Sequence, residues 1–279
     1  MGSFRILVAS PVRQSPDILK EYALSLINLK TEGFQVDFLF VDDNICDESH
    51  TILKKLAGIL GGSVLNGDEK NRKQETYIPH QWDSYSISRV TKYRNMILSF
   101  SRDKGYDWLF FVDSDLLLHP ETLKHLVGHS KDIVSEIYWT DWSYSGVYRP
   151  QVWLYDNYTQ YEINRQSPLN AEQIRKRTEE FYDMLRKPGL YKVGGLGGCT
   201  LIGRNVINSK VSFSPIYNLS FAGEDRHFCV RAAVLGFEMY VDTFYPAYHI
   251  YRKADLKGCE EYKKKCAYKE IEDIKNSWI

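Results

Sequence analysis

The sequence predicts an α/β protein with a central, mostly parallel sheet flanked by helices. Strands and helices alternate through the N-terminal half. The strands are continuous apolar runs of the kind buried on both faces, and glycines stop the helices between them.

Taken in order, residues 4–9 form a buried strand, and Pro11 and Pro16 mark the loop after it. Ile18, Leu19, Tyr22, Leu26 and Leu29 recur at helical spacing until Gly33. A second strand spans 36–41, and a loop holding Asp42, Asp43 and Asp47 leads into a helix over 49–60 that Gly61-Gly62 ends. A short strand follows at 63–65. The polar stretch 66–84 shows no periodicity and is expected to be a mobile loop. A helix over 88–102 precedes the apolar strand 108–112. The second half is less regular. It gives a short helix at 121–129, a strand at 133–138, an aromatic loop at 139–149, a strand at 152–155 and a highly charged helix at 171–186. A glycine cluster at 194–198 leads into a strand at 199–202, followed by a helix over 228–235 and a last strand at 238–241. With no repeat and no linker, the chain divides into one domain over 1–252 and a charged, helical extension over 253–279 packed on it.

Composition bounds the function. The chain has 279 residues, 43% of them hydrophobic, with 36 basic and 36 acidic side chains. It is long enough for a substantial core, and its zero net charge removes the usual electrostatic reason to expect a nucleic-acid partner. No stretch approaches the ~20 apolar residues of a membrane span, and no signal peptide is read at the N-terminus. Cys46, Cys199, Cys229, Cys259 and Cys266 are odd in number and lack C-x-x-C spacing. Reduced thiols in the cytoplasm are therefore expected, with docking at a membrane surface left open. Aromatic residues make up 14% of the chain, either as core and surface filler or as a groove for the apolar faces of sugar rings.

In open α/β sheets ligands bind beyond the carboxyl ends of the strands, and the acidic clusters stand there. Asp42-Asp43 follow one strand and Asp113-Ser114-Asp115 another. Two carboxylates one residue apart in extended chain project to the same side, so Asp113 and Asp115 can reach a divalent cation and the phosphate it binds. Glu224-Asp225 precede a helix, and Asp42 and Asp43 also stand where carboxylates cap the helix after them.

These motifs resemble those of glycosyltransferase family 2, whose members have the GT-A fold. Val41-Asp42-Asp43-Asn44-Ile45-Cys46-Asp47 is similar to that family's strand-end acidic signature, and Lys92-Tyr93-Arg94-Asn95 to its A-R-N-like segment. Gly197-Gly198-Cys199 is similar to its acceptor-side strand, Gly223-Glu224-Asp225 to its E-D motif, and His249 to the late metal-binding histidine of many GT-A enzymes. The motifs fall in family order across residues 4–252, with Asn44 and Cys46 as departures.

The resemblance implies a sugar transferase acting from a nucleotide-diphospho-sugar, UDP-linked by preference, to a hydroxyl acceptor. Ser10, Pro11, Asp42, Asp43, Arg94, Asp113, Ser114, Gly197 and Gly198 would contact the donor, with Arg94 facing its diphosphate. Asp113, Asp115 and His249 would hold Mn²⁺ or Mg²⁺. Asp225 would be the base of an inverting reaction, assisted by Glu224, and Trp139, Trp142 and Tyr144 would form the acceptor platform. The acceptor, whether glycan, lipid-linked or peptide, is not specified by the sequence. The alternatives are a nucleotidyltransferase, disfavoured because residues 10–16 lack a glycine-rich phosphate loop, and a catalytically inactive binder of nucleotide-sugars or glycans.

Overall fold

The computed structural model describes residues 3–68, 83–155, 157–163, 166–220 and 223–269. Most of the predicted 66–84 loop and the end of the predicted C-terminal extension lie outside these residues.

The N-terminal half alternates as predicted: β1 (Arg5–Val12), α1 (Pro16–Ile27), β2 (Gln35–Asp42), α2 (Asp47–Leu60), β3 (Ser63–Asn66), α3 (Ser84–Asp103) and β4 (Trp108–Val112). Local chemistry sets the boundaries. Pro16 takes the first position of α1, where a missing N–H costs nothing. Gly61 caps α2 at φ 64°, a left-handed conformation that favours glycine. Asp83 caps α3 by accepting a hydrogen bond from the Ser86 amide at 2.7 Å, so that helix begins four residues before the predicted start.

The second half comprises β5 (Leu116–Leu117), α4 (Thr122–Gly128), β6 (Ile133–Thr140), β7 (Arg149–Pro150), α5 (Ala171–Leu185), β8 (Leu190–Val193), β9 (Cys199–Gly203), α6 (Arg204–Ile207), α7 (Glu224–Val234), β10 (Met239–His249) and α8 (Cys259–Lys265). Three expectations are corrected. Residues 152–155 make only isolated bridges, at Trp153 and Tyr155, and form no strand. The last strand is not four residues but eleven, running past Pro246 with a register shift between Asp242 and Ala247. α7 starts at Glu224 instead of Phe228, so Glu224 and Asp225 lie in its first turn, where the helix dipole favours acidic groups.

The main sheet has the order β3-β2-β1-β4-β9-β6-β10-β5. Strands β3, β2, β1 and β4 are mutually parallel. β9 then runs antiparallel between β4 and β6, and β6 and β10 pair in parallel. Alternation along the strands builds two apolar layers. Leu7, Leu109 and Phe111 face α3, α5, α6 and α7. Ile6, Val8, Phe110 and Val112 face α1, α2 and α4. Beyond β10, a 3₁₀ turn (Lys253–Gly258) and α8 close a small third cluster in which Cys259 and Ile250 pack with Ile18 of α1. No disulfide forms among the described residues, and none of their helices is long and apolar enough to cross a membrane.

Phe110 is fully buried at the centre of the parallel half. Phe110→Ala is expected to lower stability by about 3–5 kcal/mol, read as a shift of the denaturant midpoint.

Candidate active site

The parallel strands β1, β2 and β4 end together, and the acidic clusters follow those ends. Asp113 leaves β4 beside β9, and its amide donates to the Gly198 carbonyl at 2.7 Å. The chain then turns, with the Leu116 amide bonding back to the Asp113 carbonyl at 3.2 Å. The extended geometry that would send Asp113 and Asp115 to one side stops at Val112, and the two carboxylates have different partners. Asp113 accepts a hydrogen bond from Arg94 Nη2 at 2.8 Å. Asp115 lies 3.5 Å from His249 Nε2. Antiparallel pairing of β5 with β10 sets His249 opposite Leu116 and so beside Asp115. His249 Nδ1 is 2.7 Å from Thr140 Oγ1, which fixes the ring. Ser114 is buried in the turn between the two aspartates.

Arg94 is the centre of the cleft. It projects from α3, is 4% exposed, and packs beside the touching rings of Phe111 and Phe213. Its Nη1 donates to Asp225 at 2.8 Å, its Nη2 to Asp113, and its Nε is 3.3 Å from Glu224. The expectation that Arg94 faces a diphosphate is corrected, because burial and three carboxylates commit the guanidinium to the protein. Burial opposes its charge, but Asp225, Asp113 and Glu224 outweigh that and raise its pKa. One cation does not neutralise three carboxylates. Burial, then the neighbouring Asp115 and Asp225, push Asp113 up to about 7 against the pull of Arg94. Burial and then Asp225 likewise push Glu224 up to about 7, and burial raises Asp225.

Asp42 and Asp43 separate in role. Asp42 Oδ1 accepts from the Asn44 backbone and side-chain amides, and Oδ2 is 2.7 Å from His50 Nδ1, so Asp42 holds the turn into α2. Asp43 sits farther out, with Tyr93 Oη at 2.8 Å, Arg89 at 3.1 Å and Arg13 at 3.4 Å. The predicted donor contact through the Ser10 side chain is corrected: Ser10 is fully buried, and its hydroxyl pairs with Tyr22 inside the core. Pro11, at the end of β1, is half-buried and registers with Val41.

The glycine cluster leaves room for protein groups. A Cβ on Gly197 would come within 2.2 Å of Asp225 Oδ2, and one on Gly198 within 2.2 Å of Tyr138 Oη. Gly198 also has φ +74°. The space at these two glycines is thus taken up by Asp225 and Tyr138.

Asp225 lines a cavity of about 340 Å³ whose walls include Tyr138, Trp142, Trp153 and Tyr158. Of the three predicted platform residues, only Trp142 lines it. β6 continues through Thr140, so Tyr138 and Trp139 point to opposite faces. Trp139 packs against Tyr182 and under Arg186 at the end of α5. Tyr144 is 76% exposed and stacks with the Arg252 guanidinium. Sequence reasoning missed Trp153 and Tyr158, whereas Tyr138, at the end of the predicted 133–138 strand, belongs to the aromatic segment it offered as a platform.

An α/β layer with this strand order and an acidic cleft beyond its parallel strands is the GT-A glycosyltransferase fold. Residues 6–165 match the model of glycosyltransferase family 25, N-terminal domain, which takes in more than half of the chain. The chain belongs to that family. The motifs resemble those of family 2, so the expectation of a GT-A glycosyltransferase holds with family 25 as its family. Over 159 residues the chain is 30% identical to procollagen galactosyltransferase 1-A of Xenopus laevis, a match covering 52% of this chain and 26% of that protein. The chain thus spans about a quarter of the length of that relative. Among solved structures, S. aureus TarS superposes with a TM-score of 0.52 at 18% identity, covering 95% of this chain and 39% of that one. TarS 1–349 in complex with UDP gives 0.51 at 16% identity, covering 99% and 69%. These structural likenesses show the shared fold.

The raised acids have a pH signature. A carboxyl whose folded pKa lies above its unfolded value binds protons more tightly when folded, so it costs stability as pH rises between the two. For Glu224 that window runs from the ordinary glutamate value of 4.5 to about 7. Across it the wild-type unfolding midpoint is expected to fall more steeply than that of Glu224→Gln, as followed by thermal melts at several pH values.

Proposed function

We propose that this chain transfers a sugar from a nucleotide-diphospho-sugar, UDP-linked by preference, to a hydroxyl acceptor with inversion. The observation that carries the proposal is the arrangement of Asp225. Arg94 holds it at 2.8 Å on one side, and it opens on the other into the aromatic-walled cavity. Two of the similar proteins support this reading: one is a procollagen galactosyltransferase, and TarS 1–349 was solved in complex with UDP.

The donor would lie over the ends of β1, β2 and β4. Asp43 is the acidic group placed to meet the nucleoside, with Asp42 holding the turn behind it. Asp115 and His249 would hold Mn²⁺ or Mg²⁺. The fit is chemical, since a carboxylate and a ring nitrogen 3.5 Å apart, flanked by Asp113 beyond Ser114, are hard and borderline donors of the kind such ions accept. When bound, the ion offsets the charge developing on the leaving nucleoside diphosphate. Asp225 takes the proton of the acceptor hydroxyl as its oxygen attacks the anomeric carbon from the face opposite the leaving group. Its raised pKa makes it a better base than an ordinary carboxylate. Arg94 is a positioning residue: it keeps Asp113, Glu224 and Asp225 in place and keeps Asp225 from being protonated permanently. Tyr138, Trp142, Trp153 and Tyr158 offer ring faces to an acceptor sugar or an apolar stem. Gly197 and Gly198 serve by leaving space for Asp225 and Tyr138.

Two measurements test this. Asp225→Asn is expected to lower kcat by roughly 10²–10⁴ with donor binding retained. A variant with wild-type turnover, or a product that retains the anomeric configuration by NMR, defeats the base assignment. UDP with Mn²⁺ is expected to raise the thermal midpoint of the wild type and to leave that of Asp115→Asn unmoved. An equal shift in both would place the ion elsewhere.

A further inference from the structure

A second group of ligating side chains lies away from the donor cleft. His125 and His129 stand four residues apart on α4 and at its C-cap, so they share one face of the helix. Both direct Nε2 at the same oxygen of Asp242, a fully buried side chain on β10. His129 is hydrogen-bonded to Asp242 Oδ2. His125 Nε2 is 3.0 Å from that oxygen but is buried outside hydrogen-bonding geometry among the described residues. One ligand atom from each of the three residues falls within 4.8 Å of the others. The cross-strand neighbour of Asp242 is Glu136, which is also fully buried. Its two carboxylate oxygens lack a hydrogen bond of normal geometry among the described residues, with only the Ile137 and Tyr245 amides nearby. Two carboxylates are thus buried side by side, and one is faced by two imidazoles, an arrangement that hydrogen bonding alone satisfies poorly.

We propose that His125, His129 and Asp242 bind a single divalent transition ion of the Zn²⁺ class. Two imidazole nitrogens and one carboxylate oxygen are the donor set such an ion favours over Mg²⁺ or Ca²⁺. A fourth position opens toward a cavity of about 380 Å³ between α4 and Tyr245, where water can complete a tetrahedron. The side chains of His125 and His129 are 29% and 17% exposed, so an ion can reach them from solvent. The ion would fasten the end of α4 to β10. It is distinct from any ion at Asp115, because on the neighbouring strand β6 Asp242 pairs with Glu136 whereas His249 reaches Thr140, four positions and roughly 13 Å along that strand.

The test is a Co²⁺ titration of the EDTA-treated full chain, followed by visible absorption and by the unfolding midpoint. Wild type and Asp115→Asn are expected to develop one equivalent of a tetrahedral Co²⁺ band that Zn²⁺ removes, with a raised midpoint. His125→Ala and His129→Ala should show no Co²⁺-dependent rise of the midpoint, each compared with its own value in EDTA. They should lose Co²⁺ affinity by more than the roughly 10–100-fold that follows loss of an outer-shell partner. His125→Asn, at the more exposed position, provides the same reading should His129→Ala fold poorly. No band in the wild type, an unchanged band in the His125 variants, or loss of the band in Asp115→Asn would each overturn the proposal.

Discussion

Asp113, Glu224 and Asp225 bring like charge to one buried cation, Arg94, and they reach it from the end of β4 and from the first turn of α7. Asp225 lies 131 residues from Arg94 in sequence and Asp113 only 19, yet one guanidinium bonds to both at 2.8 Å. Arg94 and Glu224 are the buried pair of this group, and removing one partner of a buried pair typically costs about 3–5 kcal/mol. Arg94 also explains the position of α7, whose two first-turn acidic residues, themselves favoured by the helix dipole, are drawn to the guanidinium. A lysine would not substitute, because the three contacts use the fork of the guanidinium, which also packs against the rings of Phe111 and Phe213.

The rest of the cleft follows from a change of strand direction. The parallel half delivers chain ends to one edge, as doubly wound sheets do. The antiparallel β9 then brings Gly198 back alongside Asp113, and the β5–β10 pairing returns His249 to Asp115. Without those two reversals the acidic turn after β4 would stand alone, with no glycine-lined wall and no imidazole.

Most of the parallel half is legible in the sequence because each strand is an uninterrupted apolar run bounded by proline, glycine or aspartate. Legibility fails where long-range partners decide. Arg94 shows in the sequence as a cation at the start of a helix, and nothing local reveals that three carboxylates surround it. Residues 152–155 look like a strand because Val152-Trp153-Leu154-Tyr155 is apolar, but they have only isolated bridges to Gly195 and Thr159. Tyr138 faces the cleft and Trp139 does not, because the strand runs two residues farther than its apolar core suggests and period two sends them to opposite faces. His125 and His129 show helical spacing, yet Asp242 is more than a hundred residues away, and only the packing of α4 over β6 and β10 joins them.

The clearance at Gly197 makes two positions answer to each other. With Asp225 in place, any side chain at 197 would occupy the space of its Oδ2 atom, so the glycine is held there by the carboxylate and not by a turn. Were the carboxylate lost, that restraint would vanish and larger residues at 197 would become neutral. Restoring the aspartate afterwards would then be blocked by the residue that had filled the gap. The pair behaves as a ratchet in sequence change: a lineage that gives up Asp225 and then Gly197 cannot recover the original cleft in a single step.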